Sequence, residues 1–167
     1  LADVSVKLSI ISASTKAPVW ETVVGTNSSG WFDATFTIAE TLEEGKYYIN
    51  ATYGKASSCC EFYVDKTPPI LISMLFSPKT PHVGDTITFK VSANDTISGI
   101  KEVILSYQYG DGWKNITMTE SDGTFSVKIY AGHEGKLKFK VYIYDLAGNV
   151  YVSDERSIYI SKPEWQT

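Results

Sequence analysis

Apolar and polar positions alternate along most of this chain with a period of two, the spacing that puts side chains on opposite faces of a strand. Val4, Val6, Leu8 and Ile10 alternate with Asp3, Ser5, Lys7 and Ser9. Ala17-Pro18 breaks that run, and Val19 to Val24 makes a second. The turn cluster Thr26-Asn27-Ser28-Ser29-Gly30 then predicts a hairpin into a strand from Trp31 to Ile38, with Phe32, Ala34, Phe36 and Ile38 on one face. Glu43-Glu44-Gly45 turns the chain into Lys46 to Tyr53, where Tyr47, Ile49, Ala51 and Tyr53 are expected inward, and Ser58 to Val64 closes the set.

A stiff break follows at Asp65-Lys66-Thr67-Pro68-Pro69. Neither proline can donate to a sheet ladder, and each holds the residue before it in extended geometry. The expected division is therefore a module over 1–65, a proline-rich joint at 66–69, a second module over 70–161 and a tail at 162–167. Seven runs fill the second module: Ile70 to Phe76, Asp85 to Ala93, Ile100 to Tyr109, Trp113 to Thr119, Thr124 to Tyr130, Lys136 to Asp145 and Val150 to Ile160. Gly110-Asp111-Gly112 and Ser121-Asp122-Gly123 supply tight turns between them. Strand runs with turns about every ten residues indicate an all-β chain of two tandem Ig-like sandwiches, with almost no helix.

In the first module Gly30-Trp31-Phe32-Asp33-Ala34-Thr35-Phe36, Glu44-Gly45-Lys46-Tyr47-Tyr48-Ile49 and Phe62-Tyr63-Val64-Asp65 resemble the macroglobulin-type or prealbumin-like Ig-type modules of exported proteins. In the second, Asn94-Asp95-Thr96-Ile97-Ser98-Gly99-Ile100, Gly112-Trp113 and Asp145-Leu146-Ala147-Gly148-Asn149 resemble the Ig-like, fibronectin-III-like repeats of archaeal and bacterial surface proteins. Such repeats, introduced by a Thr-Pro-Pro joint, occur in S-layer-associated proteins, adhesins and extensions of secreted proteases and glycosidases. The resemblance departs in one respect, since one clear copy is present and the array is only implied.

Composition narrows the function. The chain of 167 residues is 43% hydrophobic with 11 Tyr and 4 Trp, and its net charge is -4. An acidic chain without a clustered basic face excludes a nucleic-acid partner. No apolar run reaches the roughly 20 residues needed to cross a bilayer. Leu1 opens directly into a strand pattern without a basic leader, and the tail ends shortly after a strand and Pro163, which suits a segment of a longer protein. Four of the five asparagines, Asn27, Asn50, Asn94 and Asn115, stand in Asn-x-Ser/Thr acceptor sequences; this enrichment favours an exported, glycosylated protein, extracellular or at the cell surface. Cys59 and Cys60 are adjacent in a strand run, so their side chains diverge and they form no disulfide framework. Cys60 shares parity with Phe62 and Val64 and is expected to be buried, with Cys59 outward.

Candidate chemistry is sparse. Asp95 ends the second strand of the later module and Asp145 the sixth; in an Ig-like sandwich both loops lie at one pole, where the first strand begins, so Asp65 is expected beside them. Hard oxygen ligands on loops suit a structural calcium ion. The alternative is that the aspartates cap their own loops, with Gly99 and Gly148 permitting the turns. Lys136, Lys138, Lys140, Tyr142 and Tyr144 share one parity and offer a face for an acidic glycan or protein partner, unless they form only a solvated face that blocks stray pairing. Trp113 and Trp31 are candidates for sugar stacking, or, following turn glycines, covers for the core. His82 and His133 have no second ligand at metal spacing, and no nucleophile elbow or phosphate loop is present, so no enzyme is expected. The sequence thus predicts a non-catalytic spacer, stabilising or interaction segment whose partners are other domains of its parent protein, with a carbohydrate-binding module as the alternative.

Overall fold

A computed structural model describes residues 3–163; Leu1, Ala2 and tail residues 164–167 lie outside it. The chain is all-β and divides into two compact units, Leu1–Lys66 and Thr67–Thr167.

The first unit is one antiparallel sheet of β1 (Ser5–Ser12), β2 (Pro18–Gly25), β3 (Gly45–Tyr53) and β4 (Ala56–Val64), in the order β2-β1-β3-β4. Pairing of Ile10 with both Trp20 and Ile49, and of Tyr47 with Phe62, puts these apolar side chains on one face. Ile10, Tyr47 and Val64 are its buried centre, with Trp20, Phe36, Leu42, Ile49 and Phe62 packed around them. The strand expected from Trp31 to Ile38 does not form. Of its four apolar residues Phe36 reaches the core, its ring 5.4 Å from Trp20, while Phe32, Ala34 and Ile38 are exposed. A single irregular segment cannot cover a four-stranded face. Cys60, expected inside, is exposed in consequence, and an open depression of about 250 Å³ lies between Leu8, Phe32, Ala34, Ile49, Ala51 and Cys60. Tyr53, also expected inward, is exposed at the strand's end.

The second unit is a two-sheet sandwich. One sheet contains β5 (Ile70–Ser77), β6 (Thr86–Asn94), β10 (Thr124–Tyr130) and β9 (Thr119–Ser121), in the order β5-β6-β10-β9. The other contains β7 (Ile100–Gln108), β8 (Trp113–Thr117), β11 (Gly135–Asp145), β12 (Val150–Val152) and β13 (Arg156–Ile160), with β12-β11-β7-β8 in order and β13 also on β11. The seven predicted runs become nine strands because two runs are interrupted. At buried Met118, whose N–H donates to Val103, the chain leaves the sheet of β7 and joins that of β10. At Ser153 the last run bulges, and Val141 N–H donates to the Ser153 hydroxyl.

Alternation fills the space between the sheets. Ile87, Phe89 and Val91 from β6 meet Leu137, Phe139, Val141 and Ile143 from β11, all essentially without solvent contact. The Phe89 and Phe139 rings cross edge to face at 4.9 Å, joining the two sheets. Burying a large apolar side chain contributes roughly 1.5–3 kcal/mol, so this row is the principal stabilising feature of the unit.

Candidate functional site

The ends of β6 and β11 carry the acidic candidates. Asp95 follows β6, and its Oδ1 accepts backbone N–H bonds from Ile97, Ser98 and Gly99 at 3.1, 2.8 and 2.7 Å. Asp145 closes β11, fully buried; its Oδ1 accepts from Asn149 N–H and its Oδ2 from the Asn149 amide, both at 2.8 Å. Gly99 and Gly148 have φ of 86° and 97°, a backbone conformation that glycine adopts readily and residues with a side chain rarely do. The two loops touch, since Leu146 N–H donates to Gly99 at 3.0 Å. Asp65 stands five residues ahead of Ile70, which pairs with Asn94. Asp95 and Asp145 thus end adjoining loops, and their hard carboxylate oxygens are of the kind calcium takes. A carboxylate has about four lone-pair positions, so the loop bonds leave Asp95 and Asp145 acceptor capacity.

The outer face of the other sheet carries the lysine and tyrosine stripe. Lys138 pairs across to Gln108, Lys140 to Ser106, Tyr142 to Ile104 and Tyr144 to Glu102, while Lys136 meets Tyr159 on the other side. Lys138 forms an ion pair with Glu155 at 3.3 Å. Lys140 Nζ instead lies 5.2 Å from the centres of both the Trp113 and Tyr142 rings, a cation between two π faces. Trp113 does not cover the core, being 42% exposed, and neither does Trp31 at 76%. The sequence shows Trp113 and Lys140 separately; their meeting depends on register across β7, which no single strand reveals.

A smaller counterpart occurs on the outer face of the first unit. Lys46 Nζ lies 5.4 and 5.7 Å from the Tyr48 and Tyr63 rings and 2.5 Å from the Glu61 carboxylate. Asn50 shares this face two residues beyond Tyr48. His82 approaches Asp85 at 3.9 Å, and His133 stacks on Tyr109 with centroids 4.0 Å apart. Neither contact sets up a nucleophile with its base.

A protein-family model matches residues 63–166, and its description is a domain of unknown function, DUF7743. The chain belongs to that family. No curated protein matches it. Among solved structures, a tetra-tandem repeat in the extending region of a large adhesion protein is similar at TM-score 0.51 and 15% identity, over 96% of this chain and 42% of that one. Latent PorU from Porphyromonas gingivalis gives TM-score 0.43 at 16% identity over 96% and 20%. A titin Z1Z2 tandem gives 0.35 at 13% over 97% and 85%. The adhesion repeat supports the Ig-like fold of this family member and, at that identity, the fold alone. The chain spans less than half the length of that adhesion structure.

Proposed function

We propose that this chain is a non-catalytic segment of a larger exported or cell-surface protein, serving to space, stabilise or present the domains around it. The observation that carries this reading is the succession of two compact β units divided between Lys66 and Thr67, where Pro68 and Pro69 restrict the backbone. Likeness to a repeat from the extending region of an adhesion protein supports it at the level of fold. Small-angle scattering tests the mechanism. Changing Pro68 and Pro69 together to Gly is expected to broaden the distribution of maximum dimensions; an unchanged distribution would overturn the proline joint as a spacer. Within the same reading Asn27, Asn50, Asn94 and Asn115 carry N-linked glycans. Asn27, Asn94 and Asn115 are exposed and Asn50 is half-buried.

The adjoining loops of Asp95 and Asp145 support a second proposal, a calcium ion held by those two carboxylates with Asp65 as the third ligand. Calcium takes six to eight oxygens, so backbone carbonyls or water would complete the set. Asp95 and Asp145 already cap loops, and removing either destabilises the fold whatever is bound, so the readout for Asp65→Asn is the calcium-dependent shift of the midpoint and not the midpoint itself. An ion bound only to the folded state at about 100 times its dissociation constant adds about 2.7 kcal/mol. The melting midpoint is expected to rise by several degrees in millimolar calcium relative to chelator, and Asp65→Asn to remove the rise. Equal midpoints in calcium and chelator return the aspartates to loop capping.

A further inference from the structure

We infer that the shelf formed by Trp113, Lys140 and Tyr142 receives the proximal sugars of an N-linked glycan on Asn115. The inference rests on the proposal that the acceptor asparagines are glycosylated, and adds what one of those glycans does.

Asn115 and Trp113 are two residues apart on β8, so both point to the outer face of the sheet. β8 is the edge strand in the order β12-β11-β7-β8, and Asn115 is exposed, as a transferase requires. Register then places three groups in one row: Asn115 pairs with Ser106, and Ser106 with Lys140. Ser106 is only 4% exposed. It forms a low floor between the asparagine and the taller Lys140. β8 and β11 are two strand spacings, about 9.6 Å, apart. Lys140 Nζ lies 5.2 Å from the Trp113 ring centre, so the two side chains together bridge β7. Tyr142, at the same distance from Nζ, closes the far side.

A flat, partly exposed indole held by a cation is already ordered before anything binds it. Binding there loses little side-chain entropy, and the axial C–H groups of a pyranose meet the ring face. Lys140 has ring neighbours where Lys138 has Glu155, so its N–H donors are directed to hydroxyl or carboxylate oxygens of a sugar. The occupant is fixed by tethering: a glycan on Asn115 starts on the same face and is present at high effective concentration. The arrangement recurs in the first unit. Tyr48 precedes acceptor Asn50 by two residues, Lys46 lies by the Tyr48 and Tyr63 rings, and the neighbour of Asn50 across the ladder is the low, buried Ser9. There Glu61 neutralises the lysine and Asn50 lies on an inner strand, so Asn115 is the better-formed case.

The modification draws its sugar from a lipid-phosphate-linked oligosaccharide. The bond from the anomeric carbon to the donor's phosphate oxygen breaks, a bond from that carbon to Asn115 Nδ2 forms, and one Nδ2 proton departs with the lipid phosphate. The test is to express the chain with an export signal in a host that glycosylates Asn-x-Thr, measure occupancy by peptide mass spectrometry, and compare melts before and after enzymatic removal of the glycan. Occupied Asn115 with a fall of about 4 °C on removal is expected, from the worth of one aromatic contact. Trp113→Ala and Lys140→Ala are expected to retain occupancy while losing most of that fall, and Thr117→Ala to abolish occupancy. An unmodified Asn115 would overturn the glycan itself. An occupied Asn115 whose removal shifts wild type and Trp113→Ala equally would leave glycosylation standing and overturn the shelf. Retention of the chain by a free uronate polysaccharide with Asn115 bare would assign the shelf to an external ligand and also overturn the inference.

Discussion

Tyr47 concentrates the residue-scale physics of the first unit. Its ring is buried and stacks on Phe62 with centroids 5.5 Å apart, and its hydroxyl donates to the Glu43 carbonyl at 2.8 Å. Burial holds the hydroxyl above its ordinary 10.0, and the Glu43 carboxylate adds to this. The hydrogen bond to Glu61 raises Lys46 above 10.5, against the opposing effect of desolvation. Both groups bind their proton more tightly folded than unfolded. Their contribution is therefore complete below the unfolded values and is lost as pH rises through the raised folded ones. Melts are expected to be level up to about pH 9 and to fall above about pH 10. Tyr159, raised chiefly by the Glu134 carboxylate, acts in the same direction in the second unit. Tyr47→Phe isolates the tyrosine: it costs about 1 kcal/mol at neutral pH through the lost hydrogen bond and has a shallower alkaline decline. Identical alkaline slopes for the variant and wild type would show that Tyr47 ionises freely in the fold.

At the scale of elements, strands with one buried face were legible and strands that change partners were not. Leu137, Phe139, Val141 and Ile143 alternate without a break, and β11 has the expected inward face and ends at Asp145 as expected. Trp113 to Thr119 reads equally well as one strand, yet it divides at Met118 because the residues before and after pair in different sheets. Alternation records which side is apolar, not which sheet supplies the hydrogen bonds. Trp31 to Ile38 fails for the opposite reason. Its Phe32, Ala34, Phe36 and Ile38 have the period of a strand, but a strand also needs a partner ladder, and among the described residues none pairs with it. The loop positions of Asp95 and Asp145 were likewise readable from strand ends and turn glycines. The placing of Lys140 against Trp113 was not, because it depends on registers of three strands at once.

For the molecule as a whole, the two units differ most in how much core each has. Among the described residues the second has fifteen buried hydrophobic residues in one cluster, while the cluster of the first has three, with Val6 and Leu8 buried beside it, and relies on partly exposed neighbours. Small domains bury a smaller share of their surface and are correspondingly marginal, and the uncovered sheet face accentuates this. Unit one is therefore expected to melt first, giving two transitions in calorimetry with the smaller enthalpy at the lower temperature. Ile10 lies at the centre of the weaker core, 2% exposed and paired on both sides. Truncating such a residue to Ala costs about 2–5 kcal/mol, comparable with all the stability a small unit holds. Ile10→Ala should abolish the lower transition and leave the upper one in place, whereas Phe139→Ala should lower the upper one. A single transition moved by both substitutions would mean that the halves unfold as one cooperative body. The segment would then act as one mechanical element, and the proline joint would not set its flexibility.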